Sequence, residues 1–340
     1  MIEYPSPSQG AHPVPPAEGG CISIVVTLYN EEQTIASFFS ALNRVTDSMG
    51  ESVEYICVND GSSDRTLQLL REQFRRDPRL RIVNLARNFG KEAALSAGLF
   101  YARGEAVIVI DADLQDPPDL IPAFLEKWRE GYDVVYGIRS SRLADTFLKR
   151  TTATLFYKLF NRVSKVKIPT GAGDFRLLDR RAVTAMLDLP ERNRFSKGLF
   201  AWIGFRQTGV EFVRDPRVGG ATSWNYLRLF NFAIDAVTSF SIIPLRVASL
   251  IGVAISLFGF IYAAFLVFRT LLEGVDVPGY ASIMVVMVFL GGVQLICLGL
   301  VGEYLGRLYI EAKARPLYIV SEVIEQIAAE KPVVRFPSRV

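Results

Sequence analysis

Two long stretches without a charged side chain, Val247 to Phe268 and Val277 to Gly302, constrain this chain more than any other feature. Each exceeds the roughly 20 residues an α-helix needs to cross bilayer hydrocarbon. A buried core helix is the rival reading. Two neighbouring runs joined by the short polar segment Glu273 to Pro278 fit a helical hairpin better, with transmembrane helices over 246–268 and 279–302. Arg228, Arg246, Arg307, Lys313 and Arg315 lie near the outer ends of the hairpin, and Arg269 alone marks its inner loop. The positive-inside rule then puts both termini in the cytosol.

Residues 1–20 carry Pro5, Pro7, Pro13, Pro15 and Pro16 with no apolar h-region, so they read as a disordered tail and not a signal peptide. A net charge of +3 lacks the dense basic stripe of a nucleic-acid binder and suits anionic lipid headgroups better. Cys21, Cys57 and Cys297 show no paired or metal-ligand spacing. The only histidine, His12, sits in the proline-rich tail. That excludes hydrolases that depend on a histidine base.

Short β-rich runs at Ile22 to Leu28, Tyr55 to Val58, Ile82 to Leu85 and Ala106 to Ile110 alternate with segments of helical apolar spacing. Such alternation predicts a mostly parallel sheet covered by helices, with ligands beyond the carboxyl ends of the strands. Val134 to Tyr136 reads as a further strand, and the basic stretch Arg139 to Lys167 as a mobile loop with one helical patch at Leu155 to Phe160. After Asp174-Phe175-Arg176 the patterning turns helix-like. Asn225 to Phe240 gathers Tyr226, Phe230, Ala233, Val237 and Phe240 on one side and Arg228, Asn231 and Asp235 on another, which suits a helix lying in the bilayer interface more than a core helix. Past the second run, Glu303, Arg307 and Glu311 recur every four residues and form a charged helix face.

Asp111-Ala112-Asp113-Leu114-Gln115-Asp116 puts carboxylates directly after an apolar strand. Hard divalent cations want oxygen ligands, and Mg²⁺ is commonly held by one or two carboxylates plus substrate phosphates. The same residues also read as an acidic turn or a helix cap led by Asp116. Asn59 to Asp64, at another strand end, is equally a ligand site and a good turn and N-cap. Glu31, after Tyr29-Asn30, reads both ways too, and Arg87 and Lys91 read alike as site cations or exposed charges.

Taken together, these residues resemble the family 2 glycosyltransferases of GT-A fold, and more closely their polyprenyl-phosphate branch, over roughly Ile22 to Tyr318. The marks are Val26-Thr27-Leu28-Tyr29-Asn30-Glu31-Glu32, Val58-Asn59-Asp60-Gly61-Ser62-Ser63-Asp64, Ala86-Arg87-Asn88-Phe89-Gly90-Lys91, Asp111 to Pro118, Gly173-Asp174-Phe175-Arg176 and Ser239-Phe240-Ser241 before Pro244-Leu245-Arg246. The set is specific although no single member is.

The resemblance implies a Rossmann-like GT-A catalytic domain over 21–224, an interfacial helix over 225–243, the transmembrane hairpin within 244–302 and a cytosolic segment over 303–340. It implies an integral protein of the bacterial inner membrane that transfers one sugar, glucose from UDP-glucose first among the donors, to a polyprenyl phosphate with inversion. Thr27, Tyr29, Glu31, Asp60, Lys91, Asp111, Ala112, Asp113 and Arg217 would serve the nucleotide-sugar donor. Asp113 with Gln115 would hold Mg²⁺ or Mn²⁺, and Arg139 and Arg150 would meet the acceptor phosphate, though each arginine reads equally as a solvated charge. Asp174 stands where a catalytic base is often proposed. A lipid phosphate is already largely anionic at neutral pH, so orienting the acceptor or facing positive charge on the sugar suits Asp174 better.

Two departures stand out. Ser223 occupies a position in Arg217 to Trp224 where many relatives carry lysine, and Thr27 stands where proline is frequent. Rival readings are a processive polysaccharide synthase, which the absence of a Gln-x-x-Arg-Trp segment disfavours, and a non-catalytic membrane scaffold that binds a nucleotide sugar, which has no need of a metal site. Self-association through the hairpins is a further expectation.

Overall fold

The computed structural model describes residues 20–139, 172–192, 194–212, 243–273 and 279–326. Among them, 20–212 and the segment from 315 onward make one unit, and the residues from 243 to 314 make a second. Beyond their end residues, the expected tail, the loop after Arg139 and the interfacial helix lie outside the described residues. So do Arg150, Arg217 and Ser223.

In chain order the first unit runs β1 (Cys21–Leu28), α1 (Ile35–Thr46), β2 (Ser52–Asn59), α2 (Thr66–Arg76), β3 (Leu80–Leu85), α3 (Lys91–Tyr101), β4 (Ala106–Asp111), α4 (Ile121–Arg129), β5 (Val134–Arg139), β6 (Ala172–Asp179), α5 (Arg180–Leu187), α6 (Ser196–Trp202) and β7 (Gln207–Phe212). The second unit holds α7 (Ile243–Glu273) and α8 (Tyr280–Lys313), and β8 (Val320–Ile324) returns to the first. The sheet order is β7-β5-β6-β4-β1-β2-β3-β8. Strands β3, β2, β1 and β4 are mutually parallel, as the alternation predicts.

β1 sits between β2 and β4, and Ile22, Ile24, Val25, Val26 and Leu28 are all buried along it. A near-continuous apolar run is what a parallel strand covered on both faces requires. α1 supplies Phe38, Phe39 and Leu42 as its inner stripe. α3 differs, because every residue from Ala93 to Tyr101 is buried. Its small side chains let it lie close on β1 and β2, and a Cβ on Gly98 would collide with the side chain of Val25. The first residue of α3, Lys91, is thereby fixed at the carboxyl edge of the sheet.

Beyond β4 the sheet departs from the parallel expectation. β6 runs antiparallel between β4 and β5, and β7 pairs parallel with β5. The motif Gly173 to Arg176 therefore lies inside a strand, with Phe175, Leu177 and Leu178 buried, and the helix-like patterning begins only at α5, which Asp179 caps by accepting the Arg181 N–H at 2.9 Å. At the other edge β8 pairs antiparallel with β3.

α7 and α8 contact one another and carry large apolar side chains with no cover within the described residues, among them Leu250, Phe258, Phe260, Leu271, Leu295 and Ile296. A helix apolar all round and left uncovered suits a lipid surrounding. Phe289–Lys313 in α8 is long and apolar enough to cross a membrane, while Val247–Tyr262 in α7 is a shorter apolar stretch. α7 extends beyond its expected span at both ends and α8 at its C-terminal end. On the charged face of α8, Arg307 pairs with Glu303 at 2.8 Å.

Candidate active site

The polar clusters meet at one edge of the sheet. Two loops are stitched together there: Asn30, at φ +55°, accepts from the Ser63 N–H at 2.9 Å through Oδ1, and Ser62 Oγ accepts from the Asn30 N–H at 3.0 Å. The Glu32 N–H donates to Asp64 at 3.1 Å, and the Glu31 N–H donates to the Thr66 hydroxyl at 2.8 Å. Asparagine tolerates the left-handed conformation that this turn needs. Tyr29 projects from the same turn, 48% exposed, which leaves its ring face available for stacking.

Asp60 leaves the end of β2 almost fully buried and accepts the N–H groups of Phe89 at 2.7 Å and Gly90 at 2.9 Å. Burial pushes its carboxyl above the usual value, and the two N–H bonds and the nearby Arg87 offset part of that. Gly61 follows at φ +63°, where a Cβ would collide with the backbone of Arg87 and Asn88. The loop ending at Lys91 is thus anchored on β2. Asp60→Ala should destabilise the fold by about 2 kcal/mol, within the range for losing charge-assisted bonds to half-buried donors. A drop in melting temperature of the purified protein checks this.

Lys91 is the hub of the site. Its Nζ donates to Asp111 Oδ2 at 2.7 Å and to Asp174 Oδ2 at 2.7 Å. Sheet register explains the convergence: Val109 of β4 faces Arg176 of β6 in the antiparallel pair, and two residues further in opposite directions lead to Asp111 and Asp174. Two like charges at neighbouring strand ends need a cation between them. Lys197, from the first turn of α6, pairs with the other oxygen of Asp174 at 3.3 Å. Asp111, Lys91, Asp174 and Lys197 make a row of alternating sign.

Burial works against the charged form of Asp174, but Lys197, Lys91 and Arg176 together hold its carboxyl well below the usual carboxylate range. Burial likewise opposes the Lys91 ammonium, and Asp111 and Asp174 overcome it and push its pKa up. Arg176 is buried on the same strand, stacked 4.0 Å from the centre of the Phe200 ring and donating to the Gly173 carbonyl at 2.7 Å.

Of the residues anticipated for the site, Lys91, Asp111 and Asp174 come together in direct contact. Thr27 lies in register with Asp111 on the neighbouring strand, and Ala112 is buried behind the acidic turn. Asp113 and Gln115 share that turn, where the Gln115 N–H donates to Asp113 at 3.1 Å and Leu114 sits at φ +56°. The 3₁₀ turn that follows, Pro118–Leu120, is led by Pro117, and Asp116 lies buried just before it. Arg139 ends β5. Lys197 and Arg176 were not anticipated as site residues; Ser196-Lys197-Gly198 carries no spacing signal, and only the packing of α6 brings it to Asp174.

Residues 23–187 match the family model described as glycosyl transferase family 2, and residues 243–308 match the one described as GtrB C-terminal hairpin. An uncharacterised glycosyltransferase of Synechocystis sp. is 55% identical over 312 residues, covering 91% of this chain and 98% of that one. An uncharacterised glycosyltransferase of Bacillus subtilis is 45% identical over 300 residues, covering 88% and 93%. The bactoprenol glucosyl transferase of Shigella phage SfV is 46% identical over 299 residues, covering 88% and 97%. With identity of this order over nearly the whole of each relative, and an acidic turn beside a charge-balanced row at the strand ends, the chain is a glycosyltransferase and belongs to glycosyl transferase family 2.

Proposed function

We propose that this enzyme moves a single sugar from a nucleotide-sugar donor, UDP-glucose first among them, to a polyprenyl phosphate at the cytosolic face of the membrane, inverting the anomeric carbon. The observation that carries this reading is the row Asp111, Lys91, Asp174 and Lys197, since an anionic donor and an anionic acceptor need cations and a carboxylate at fixed positions. The likeness to a bactoprenol glucosyl transferase supports the acceptor class. The uncovered apolar helices α7 and α8 support a membrane hairpin, with α7 as the other span beside α8.

Asp113 and Gln115 offer hard oxygen donors on one turn, and among the described residues no group of three or more His, Cys, Asp or Glu forms an all-protein cage. Mg²⁺ or Mn²⁺ held by one or two protein oxygens plus donor phosphates fits that set. When bound, the cation neutralises charge on the departing nucleoside diphosphate. Tyr29, Glu31 and Asp60 receive the nucleoside; Thr27 and Ala112 shape the pocket; Lys91 and Arg217 reach the diphosphate. Arg139 and Arg150 serve the acceptor phosphate.

A carboxylate held as far down as Asp174 takes up few protons at neutral pH, so it is a poor general base. The acceptor phosphate needs none, because its second ionisation lies near about pH 6 and its oxygen is already anionic. Asp174 instead faces positive charge developing on the sugar. An interfacial helix over residues 225–243, of which all but Ile243 lie outside the described residues, would keep this chemistry at the bilayer and make the search for acceptor local.

Asp113→Ala tests the metal assignment. Metal-stimulated transfer of labelled sugar into the lipid phase should fall by about 100-fold or more, in line with losing one group that stabilises transition-state charge. A variant with the wild-type rate and metal response would remove Asp113 from that role.

A further inference from the structure

Asp174 is met by charge from several elements: Lys91 from α3, Lys197 from α6 and Arg176 on its own strand, with the half-buried Glu92 of α3 close enough to repel it. The delivery of Lys197 is itself built. Glu92 accepts hydrogen bonds from both the hydroxyl and the N–H of Ser196, the latter at 3.2 Å. Arg194 donates to the Ser96 hydroxyl on α3 at 3.2 Å and to the Leu189 carbonyl at 2.8 Å. Adjacent residues of α3 therefore do paired work: Lys91 holds Asp174 directly, and Glu92 holds the residue next to the second lysine.

Resting on the transferase reading, we propose that Lys197 is a positioning residue for the reaction, keeping Asp174 aimed and charge-balanced when Lys91 turns toward the donor diphosphate. Each ammonium carries three N–H donors, and Lys91 spends two on Asp111 and Asp174. An arriving diphosphate competes for Lys91. Were Lys91 its only lysine partner, the carboxylate in this half-buried setting would lose that contact and swing or take a new partner, because poorly paired charge there is expensive. Lys197 engages the opposite oxygen, so Asp174 keeps one fixed contact while Lys91 moves.

The test is steady-state transfer by full-length protein in liposomes, with UDP-glucose and undecaprenyl phosphate, comparing wild type, Lys197→Met, Lys197→Arg and Ser196→Ala. Lys197→Met should lower kcat by about 100-fold, the scale for misplacing a reacting group by an ångström, with KM for both substrates within threefold. Lys197→Arg should recover most of that loss, and Ser196→Ala should lower kcat by a smaller factor at unchanged KM. A rise in KM for the lipid phosphate with kcat preserved would overturn the proposal, making Lys197 an acceptor ligand; so would full activity in Lys197→Met. Should Lys197→Met fail to fold, Lys197→Arg and Ser196→Ala decide by the same split between kcat and KM. The wild-type rate in this assay carries the transferase reading by itself, so the two ideas fail separately.

Discussion

Changing Asp174 to Asn is expected to cut the rate at saturating donor and acceptor by about 10²–10³-fold, the range for removing one preorganised group that stabilises transition-state charge. The amide keeps the shape of the carboxylate but not its charge, so it no longer balances Lys91 and Lys197 or faces a sugar becoming positive. Folding should survive, since the side chain is 35% exposed and both lysines can reach water. Donor affinity should change little, because Asp111, Asp113 and the turn around Tyr29 remain. Calorimetric titration with UDP beside the transfer rate separates the two effects. A variant that transfers sugar at the wild-type rate would contradict the role given to Asp174.

The second large effect concerns stability. Arg81 on β3 has an 8% exposed side chain, and its Nε lies 2.7 Å from a carboxylate oxygen of Glu325, just past β8. The same carboxylate pairs with Arg103 at 3.3 Å, and Glu54 lies 3.7 Å from Arg81. Glu325→Ala leaves buried Arg81 with the longer carboxylate contact to Glu54, so it should destabilise the protein by about 3 kcal/mol. For a domain of this size that corresponds to roughly 6–12 °C in melting temperature, read in detergent by intrinsic fluorescence. Cutting the chain before α7 should do worse, because it also strips β8 from β3 and leaves a bare sheet edge that invites aggregation. A truncated domain as stable and monodisperse as the full chain would show that β8 is dispensable.

What could be read from residues and what could not divide along physical lines. β1 to β4 were legible because each is a short apolar run ended by turn residues and followed by helical spacing, and the acidic turn after β4 was legible because Asp111, Asp113 and Asp116 follow an apolar strand directly. The two long apolar helices were legible from missing charge, although α7 and the C-terminal end of α8 run past the charge-free stretches. β6 was harder. Its Asp174 and Arg176 break the apolar pattern, and its partner β4 lies more than sixty residues earlier. β8 hides for a similar reason: its Glu322 pairs with Arg71, and Glu325 just past it with Arg81, so the charges of this segment find partners far back in the chain. Lys197 was invisible because its contact with Asp174 depends on α6 being pinned to α3 through Ser196 and Glu92, a tertiary fact with no local signature.

The most direct test is to reconstitute the full-length protein with undecaprenyl phosphate, Mg²⁺ or Mn²⁺ and a panel of nucleotide sugars, and to weigh the extracted lipid by mass spectrometry. The expected product is the lipid phosphate plus one hexose, formed from one preferred donor and only with metal present. Lipid of unchanged mass with every donor, from protein shown to be folded, would contradict transfer to a polyprenyl phosphate, and a ladder of added sugars would contradict single transfer.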